Sequence, residues 1–280
     1  MKKIVFILAF IASGFGIAKA YEFPGFEWSV GTDVTSAYLF RGLKYGGLAV
    51  QPEVAIGYGG LKLSAWANIS AEDYTFSTFA PELDVTLSYS IAGLTIGFNH
   101  QYYFDGTKYF DFSNSTYEQY ENDDYNSNQS EVYIEYNLGE VLEKIPLHIG
   151  WYTYIAGDDM YPVVQTIDGK ETTVMKRAYS SYIDIAYDIN LPLGFTLTPT
   201  IGMTPWKSCY TDYEGDFAVN NVSLKLNWEF EVGDHFCLDV YAQGMINTYG
   251  ITKENLIPKI QNSYNNQRLN GAIGIGLWFY

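Results

Sequence analysis

Acidic side chains recur at alternate positions inside apolar stretches of this chain. Glu131 and Glu135 are separated by Val132, Tyr133 and Ile134. Successive side chains of a β-strand point to opposite faces, so this spacing places both carboxylates on one face and the aliphatic residues on the other. A confined face of carboxylates attracts cations and repels anions. The pattern therefore predicts a surface that can bind or pass cations.

The strands that would carry these residues follow from the same two-residue period. The alternation continues along most of the chain and is broken by short turn sequences. It predicts twelve strands, with approximate bounds of 27–41, 49–58, 61–70, 81–90, 94–104, 130–138, 146–155, 178–189, 194–204, 219–231, 235–247 and 268–280.

The connections between these strands alternate in length. Short connections, such as Gly59-Gly60 and 190–193, alternate with longer ones at 42–48, 71–80, 105–129, 156–177, 205–218 and 248–267. Bacterial outer-membrane barrels show this asymmetry, because their periplasmic turns are short and their outer loops are long. We therefore predict an all-β fold, a single 12-stranded antiparallel transmembrane β-barrel with both termini in the periplasm.

Both ends of the sequence favour export to the bacterial outer membrane. Residues 1–20 have a basic start, an apolar stretch and the cleavage pattern Ala18-Lys19-Ala20, and are predicted to be a signal peptide that is removed. Residues 21–280 form the predicted outer-membrane β-barrel domain. The last strand, Arg268 to Tyr280, ends on an aromatic residue. Such a strand is expected to contact outer-membrane lipid and to be recognised by the barrel assembly machinery.

The charged face is expected to point into the barrel, because Lys or Arg facing mid-bilayer lipid costs about 2–4 kcal/mol. The predicted lumen holds the acids Asp33, Glu53, Glu82, Asp84, Glu131, Glu135, Asp184, Asp188, Glu229, Glu231 and Asp239, and the bases Arg41, Lys62, Lys225 and Arg268. The candidate selectivity residues are Asp33, Arg41, Glu53, Glu82, Asp84, Glu131, Glu135, Asp184, Lys225 and Asp239. If the turn at 232–234 spans three residues, Lys225 lies opposite Asp239, and we then expect the two to pair. The net charge of −16 argues against nucleic acid as a partner.

Aromatic residues on the lipid-facing parity are candidates for the two interfacial girdles of such a barrel. These are Trp28, Phe40, Trp228 and Phe279. Arg41 follows Phe40 at the outer end of the predicted first strand. One interpretation is that it holds a loop inward through hydrogen bonds to carboxylates, and the other is that it is an ordinary rim charge.

The first half of the chain resembles the TorF family of porins from Gram-negative bacteria. The resemblance is carried by Tyr38-Leu39-Phe40-Arg41-Gly42, by Gln51 to Tyr58, by Glu82-Leu83-Asp84 and by Ser130 to Tyr136. The stretch Trp66 to Ser70 departs from the pattern of that family, and the similarity is weak beyond Leu138. The resemblance implies an outer-membrane pore and names no substrate.

Other chemistry has less support in the sequence. Cys209 and Cys237 are predicted to lie near opposite ends of the barrel, too far apart for a disulfide. A lipid-modifying enzyme would need a histidine beside a nucleophile, but His100, His148 and His235 fall on three different strands. We predict no catalytic residues, no metal site and no cofactor.

The sequence therefore predicts a porin, a diffusion channel for small polar solutes that favours cations. Two alternatives stay open. The lumen could be plugged, which would leave a structural or adhesin-like barrel, or the barrel could be an outer-membrane enzyme. The carboxylates of Asp212 to Asp216 are spaced somewhat like a calcium loop, but Gly215 does not fit that pattern, so a solvated loop is the simpler interpretation.

Overall fold

The computed structural model describes residues 25–71, 79–104, 107–142, 144–211, 213, 216–248 and 269–280. The predicted signal peptide, Arg268 and most of the 212–216 stretch lie outside these ranges. The described elements are β1 (Phe26–Thr35), β2 (Tyr38–Phe40), β3 (Leu43–Gly46), β4 (Ala49–Tyr58), β5 (Leu61–Ala71), β6 (Phe79–Ile91), β7 (Leu94–Tyr103), α1 (Tyr117–Glu121), β8 (Gln129–Asn137), β9 (Leu147–Gly157), β10 (Met160–Ile167), β11 (Lys170–Arg177), β12 (Ser181–Tyr187), β13 (Ile189–Asn190), β14 (Phe195–Thr204), β15 (Ala218–Glu231), β16 (Phe236–Ile246) and β17 (Leu269–Phe279). Across the part of the chain that is described, no helix has the length and apolar character needed to cross a membrane.

Twelve of these strands form a closed antiparallel ring. Their order is β1-β4-β5-β6-β7-β8-β9-β12-β14-β15-β16-β17, and β17 pairs back onto β1. The short strand β13 extends the pairing of β12 along β14. Closure gives every wall strand two neighbours, so the backbone ladder has no unpaired edge. The prediction of a 12-stranded antiparallel barrel is confirmed.

The first wall strand is shorter than predicted. It ends at Thr35, whose hydroxyl donates to the Ala37 carbonyl at 3.0 Å. The chain then forms the hairpin β2–β3, which pairs only with itself. Its turn is made by Arg41 and Gly42, with φ of 47° and 91°. This left-handed pair reverses the chain within two residues, so the predicted strand 27–41 is wrong beyond Thr35.

A second hairpin interrupts the predicted connection at 156–177. Strands β10 and β11 pair there in register from Met160 opposite Arg177 to Ile167 opposite Lys170. The following wall strand was predicted to begin at 178, but β12 begins at Ser181. Strand propensity alone does not separate a wall strand from an outer hairpin of the same length.

The two faces of the wall have opposite chemistry. On β15, Val222 and Leu224 point outward and are 39% and 47% exposed. Their neighbours Asn221 and Ser223 point inward and are 5% and 8% exposed. This is the reverse of a soluble domain, in which apolar side chains fill the interior. It is the arrangement of a barrel that is apolar outside and polar inside.

The last strand packs closely against its neighbours through a glycine. A Cβ atom on Gly276 would lie 2.4 Å from the Asp33 Oδ1 atom and 2.7 Å from the Trp278 Nε1 atom. Any side chain there would collide with both groups, so the indole ring lies against the inner wall. Ile275 and Leu277 point outward and are 42% and 39% exposed. The more apolar parity of the last strand is therefore the outward one.

Candidate functional site: a lumen crossed by a hairpin

The hairpin β2–β3, residues 38–46, crosses the interior of the barrel, and we call it the lumen hairpin. It leaves the wall between β1 and β4, which are neighbours in the ring. At its tip, the Asn220 Nδ2 atom on β15 donates to the Arg41 carbonyl at 3.1 Å. A Cβ atom on Gly42 would lie 2.6 Å from the Asn220 carbonyl oxygen, so the tip is in close contact with this wall. The Arg41 side chain contacts β8, β9 and β12, on the far side of the ring from β1, and Tyr210 in the loop after β14.

The Arg41 side chain anchors the hairpin to that opposite wall. Its Nη1 and Nη2 atoms donate to the two carboxylate oxygens of Glu131, the Nη2 bond being 2.9 Å long. Nη1 also donates to the Tyr210 hydroxyl at 2.6 Å. The guanidinium carbon lies 4.2 Å from the Tyr152 ring centre and 5.2 Å from that of Tyr182. The Arg41 and Glu131 side chains are only 8% and 4% exposed.

Arg41 is therefore not a rim charge, and the interpretation that it holds a loop inward agrees with the structure. The ion pair is bidentate, buried and enclosed by aromatic rings. In such surroundings, removing one partner leaves an uncompensated charge, which is strongly unfavourable. The ion pair thus ties the tip of the lumen hairpin to the wall.

The root of the lumen hairpin is attached to the near wall by aromatic and acidic residues. The Tyr38 ring lies 5.6 Å from the Trp66 ring on β5. Its hydroxyl donates to the Glu82 carboxylate, which is 5% exposed. Beside the root is a cavity of about 200 Å³ whose lining includes Tyr38, Trp66, Gln51, Tyr241 and Gln243. This cavity leaves only restricted space next to the hairpin.

A separate acidic group lies on the inner wall formed by β1, β16 and β17. Asp33 and Asp239 are both paired with Gly276, one from each side, so their carboxylates flank the same glycine. The Oδ1 atoms of both are buried without a hydrogen-bond partner. The Lys225 ammonium lies 4.5 Å from the Tyr241 ring centre. These carboxylates are inward-facing. Neither forms a direct ion pair among the described residues, although Lys225 attracts both, and Asp33 and Asp239 also make side-chain hydrogen bonds with Trp278 and Asn227.

The predicted pairing of Lys225 with Asp239 is wrong. Lys225 is opposite Gln243, and Asp239 is opposite Glu229. The connection between β15 and β16 is longer than assumed, because Val232 donates its backbone N–H to the Phe236 carbonyl at 2.8 Å. The resulting displacement is an even number of residues, so both side chains stay on the inward face.

The remaining predicted selectivity residues on the wall strands also point inward. Asp84 accepts from the Asn99 Nδ2 atom at 2.9 Å. Glu135 accepts from the Tyr152 hydroxyl at 2.6 Å. The carboxylate of Asp184 lies against Gly150 of the neighbouring strand, and Glu53 lies 3.7 Å from the Lys62 ammonium.

Of the four predicted girdle residues, Phe40 is wrongly assigned. It lies on the lumen hairpin, and its ring centre is 4.6 Å from the Arg41 guanidinium carbon. The other three are on wall strands near the short-turn end. Trp28 is 39% exposed, Trp228 stacks 6.0 Å from Phe195, and Phe279 lies 4.9 Å from Phe236.

Loops at the other end of the barrel pack against one another, and we call 107–128, 158–180 and 205–211 the outer-loop cluster. The Tyr120 hydroxyl donates to Asp158, and helix α1 contacts β11. Asp159 is fully buried and accepts from the Ser180 backbone N–H at 2.8 Å and from the Ser180 hydroxyl. Burial raises the pKa of the Asp159 carboxyl to about 7, although the Ser180 hydrogen bonds and Arg177 oppose this shift.

The outer-loop cluster is expected to be more stable at mildly acidic pH. In the folded protein Asp159 takes up its proton near pH 7, whereas the unfolded chain does so near pH 3.8. The folded state binds more protons between these values, so its stability rises as pH falls through that window. Limited proteolysis of the loops should slow accordingly, and Asp159→Asn should remove this contribution. Asp168→Asn, at an exposed turn, is the matched control, and an unchanged pH profile in Asp159→Asn would contradict the assignment.

The histidines do not form a catalytic group in the described part of the chain. His100 Nδ1 lies 2.9 Å from the Ser130 hydroxyl, a contact that sequence reasoning missed because the two residues are on different strands. His100 is 1% and Ser130 is 0% exposed, and the Phe110 ring stacks on the imidazole at 5.2 Å. A hydroxyl without access to substrate cannot act as a nucleophile. His148 instead pairs with Asp188 at 2.8 Å.

The residues around the Arg41 guanidinium were mostly missed by the sequence analysis. Tyr152 and Tyr182 lie on the inward parity of their strands, so the alternation places them in the lumen without indicating a shared role. Tyr210 follows β14 in a short 3-10 turn, where no periodicity guides a prediction. Cys209 beside it and Cys237 are free thiols.

Comparison with known proteins gives similarity only to solved structures. No protein-family model matches the chain, and no curated protein matches it, so the TorF resemblance is not confirmed. The NanC porin is 11% identical over 91% of this chain and 100% of its own, with a TM-score of 0.47. The COG4313 outer membrane channel from Pseudomonas putida F1 is 12% identical over 94% and 98% of the two chains, with a TM-score of 0.42. The translocator domain of the autotransporter NalP from Neisseria meningitidis is 12% identical over 100% and 95%, with a TM-score of 0.40.

Proposed function

We propose that this protein is an outer-membrane channel for small polar solutes that favours cations. The observation that carries the proposal is the acidic inner wall around Gly276, where Asp33 and Asp239 each have one buried carboxylate oxygen without a hydrogen-bond partner. Carboxylates in a confined lumen raise the local concentration of cations and exclude anions. The apolar outward face and the closed backbone ladder are what a lipid-spanning barrel requires.

The lumen hairpin restricts what can pass. It crosses the interior and is tied to both walls, through Tyr38 at its root and Arg41 at its tip. The cavity beside its root has a volume of about 200 Å³. Because the hairpin occupies the interior, we expect the barrel to admit single small solutes or hydrated ions and to exclude folded proteins and long oligomers. The acidic wall and the hairpin therefore act together, one selecting charge and the other selecting size.

Reversal potentials in planar bilayers under a KCl gradient test the proposal. We expect discrete current steps with a preference for K⁺ over Cl⁻. The double variant Asp33→Asn, Asp239→Asn should reduce that preference, because it removes two inward-facing negative charges while keeping side-chain size. Glu171→Gln, which removes a carboxylate from the exposed outer hairpin, should leave the reversal potential unchanged. An anion-selective current would contradict the electrostatic part of the proposal.

The hairpin also supports a second candidate, a barrel that is plugged and has a structural role. Its two attachments could keep the lumen closed under all conditions. Absence of current from correctly folded protein would favour this candidate. Folding is checked independently by heat-modifiable mobility on gels, so a lack of current can be separated from a failure to fold.

The cellular location proposed is the outer membrane of a Gram-negative bacterium, with lipid around the apolar outward face. We further propose that the C-terminal strand, Arg268 to Tyr280, is the segment recognised by the barrel assembly machinery. The described part of that strand pairs with both β1 and β16. It therefore completes the ring, which is the step that assembly must bring about.

A further inference from the structure

The pocket around the Arg41 guanidinium is built by residues outside the lumen hairpin, apart from Phe40. We call it the guanidinium pocket, and it consists of Glu131 on β8, Tyr152 on β9, Tyr182 on β12 and Tyr210 in the loop after β14. These four residues come from four separate elements. The pocket is therefore a feature of the barrel, and Arg41 is its occupant.

The wall residues of the pocket are held in place by contacts that do not involve Arg41. The Tyr182 hydroxyl accepts from the Asn221 Nδ2 atom at 2.9 Å, and the Tyr152 hydroxyl donates to Glu135 at 2.6 Å. The Tyr182 ring lies 6.3 Å from that of Tyr152 and 5.6 Å from that of Tyr210. These contacts should keep the shape of the pocket when its occupant leaves.

The chemistry of the pocket is specific for a planar cation. The two oxygens of Glu131 match the parallel N–H groups of a guanidinium, whereas an ammonium cannot donate in this paired geometry. The tyrosine rings add attraction for a delocalised positive charge. An empty pocket would leave a buried carboxylate without a cation, since Glu131 is 3% exposed. We propose that the guanidinium pocket binds small guanidinium-bearing organic cations, which replace Arg41.

Replacement is feasible because the lumen hairpin is separate from the wall. Its two strands form their own two-stranded sheet, outside the thirteen-stranded sheet that holds the barrel strands. It can move without breaking the wall ladder. A tethered group competes at an effective concentration that depends on its linker, so a free solute displaces it only when locally abundant. The proposed acidic lumen would supply that enrichment, and to this extent the inference rests on the proposed function.

The test uses Arg41→Ala, which leaves the pocket without its tethered occupant, and methylguanidinium as the probe. Methylguanidinium should raise the apparent melting temperature of this variant in a saturable way and recover most of the loss. Methylammonium, with the same charge and without the paired donors, should recover much less. The double variant Arg41→Ala, Glu131→Gln should show no specific recovery. Equal effects of the two cations on Arg41→Ala would overturn the proposal.

Two further measurements cover the case in which Arg41→Ala does not fold and separate binding in the pocket from channel activity. If Arg41→Ala does not fold alone, refolding with methylguanidinium should restore the folded barrel, and failure with both cations would overturn the proposal. Current measurements separate the pocket from the channel. If methylguanidinium specifically stabilises a barrel that passes no current, the result supports binding in the pocket and contradicts the proposed channel. If Arg41→Ala passes current and methylguanidinium does not specifically stabilise it, the result supports the channel and contradicts binding in the pocket.

Discussion

Deletion of residues 38–46 is expected to increase the single-channel conductance several-fold and to admit larger solutes. The deletion removes the whole lumen hairpin, which crosses the interior from β1 and β4 to the opposite wall. The wall should survive, because Thr35 and Ala49 are already paired. The residues left between them, 36–37 and 47–48, are enough for a four-residue hairpin loop. Planar-bilayer recordings measure the conductance, and liposome swelling with sugars of increasing size measures the cut-off.

A deletion of similar size in the outer hairpin provides the control. Removing 164–167 and 170–173 keeps the Asp168-Gly169 turn and the pair Val163 opposite Val174. This hairpin pairs only with itself, and the residues removed are mostly exposed, so we expect the conductance not to change. If the deletion of 38–46 also leaves conductance and size cut-off unchanged in a folded barrel, the lumen hairpin is not the constriction.

The wall of the barrel could be predicted from the sequence because its physical requirements repeat along the chain. Each wall strand needs apolar residues outward and polar residues inward, and this gives a two-residue period. The turns at one end are short, so Gly59-Gly60 fixes where β4 ends and where β5 begins. The prediction for β4, residues 49–58, agrees with Ala49–Tyr58.

The lumen hairpin could not be predicted, since its sequence continues the same alternation. Tyr38 and Phe40 follow the outward parity of β1, so the pattern extends past the end of the wall strand. What redirects the chain is the left-handed turn at Arg41 and Gly42 and the ion pair with Glu131, which is 90 residues away. A contact between such distant residues leaves no local periodic signal.

The register between neighbouring strands could not be predicted from the sequence either. The face of Lys225 follows from parity alone, whereas its partner depends on the number of residues in the turn between β15 and β16. The structure places Gln243 opposite Lys225 and leaves Asp239 opposite Glu229. For this barrel, the face on which a side chain lies is therefore predicted more reliably than its cross-strand partner, because an even shift in register changes the partner and keeps the face.

Loss of the Arg41 side chain should be the most destabilising single substitution in the lumen. Arg41→Ala leaves the Glu131 carboxylate buried without a partner, at 3% exposure. Removing one partner of a buried ion pair typically costs about 3–5 kcal/mol. For a chain of this size we expect the apparent melting temperature to fall by about 10 °C. The loss of heat-modifiable gel mobility on heating measures this change.

The exposed Lys62–Glu53 ion pair is the control that shows whether the loss of stability in Arg41→Ala comes from burial or from charge alone. Its atoms are 3.7 Å apart, and the Lys62 side chain is 54% exposed. An exposed pair contributes about 0–1 kcal/mol, so Lys62→Ala should hardly change the melting temperature. Arg41→Lys should fall between Arg41→Ala and the unmodified protein, because an ammonium retains the charge and loses the paired hydrogen bonds. Equal melting temperatures for Arg41→Ala and Lys62→Ala would show that the Glu131 carboxylate finds another partner or water. The ion pair would then not be what holds the lumen hairpin against the wall.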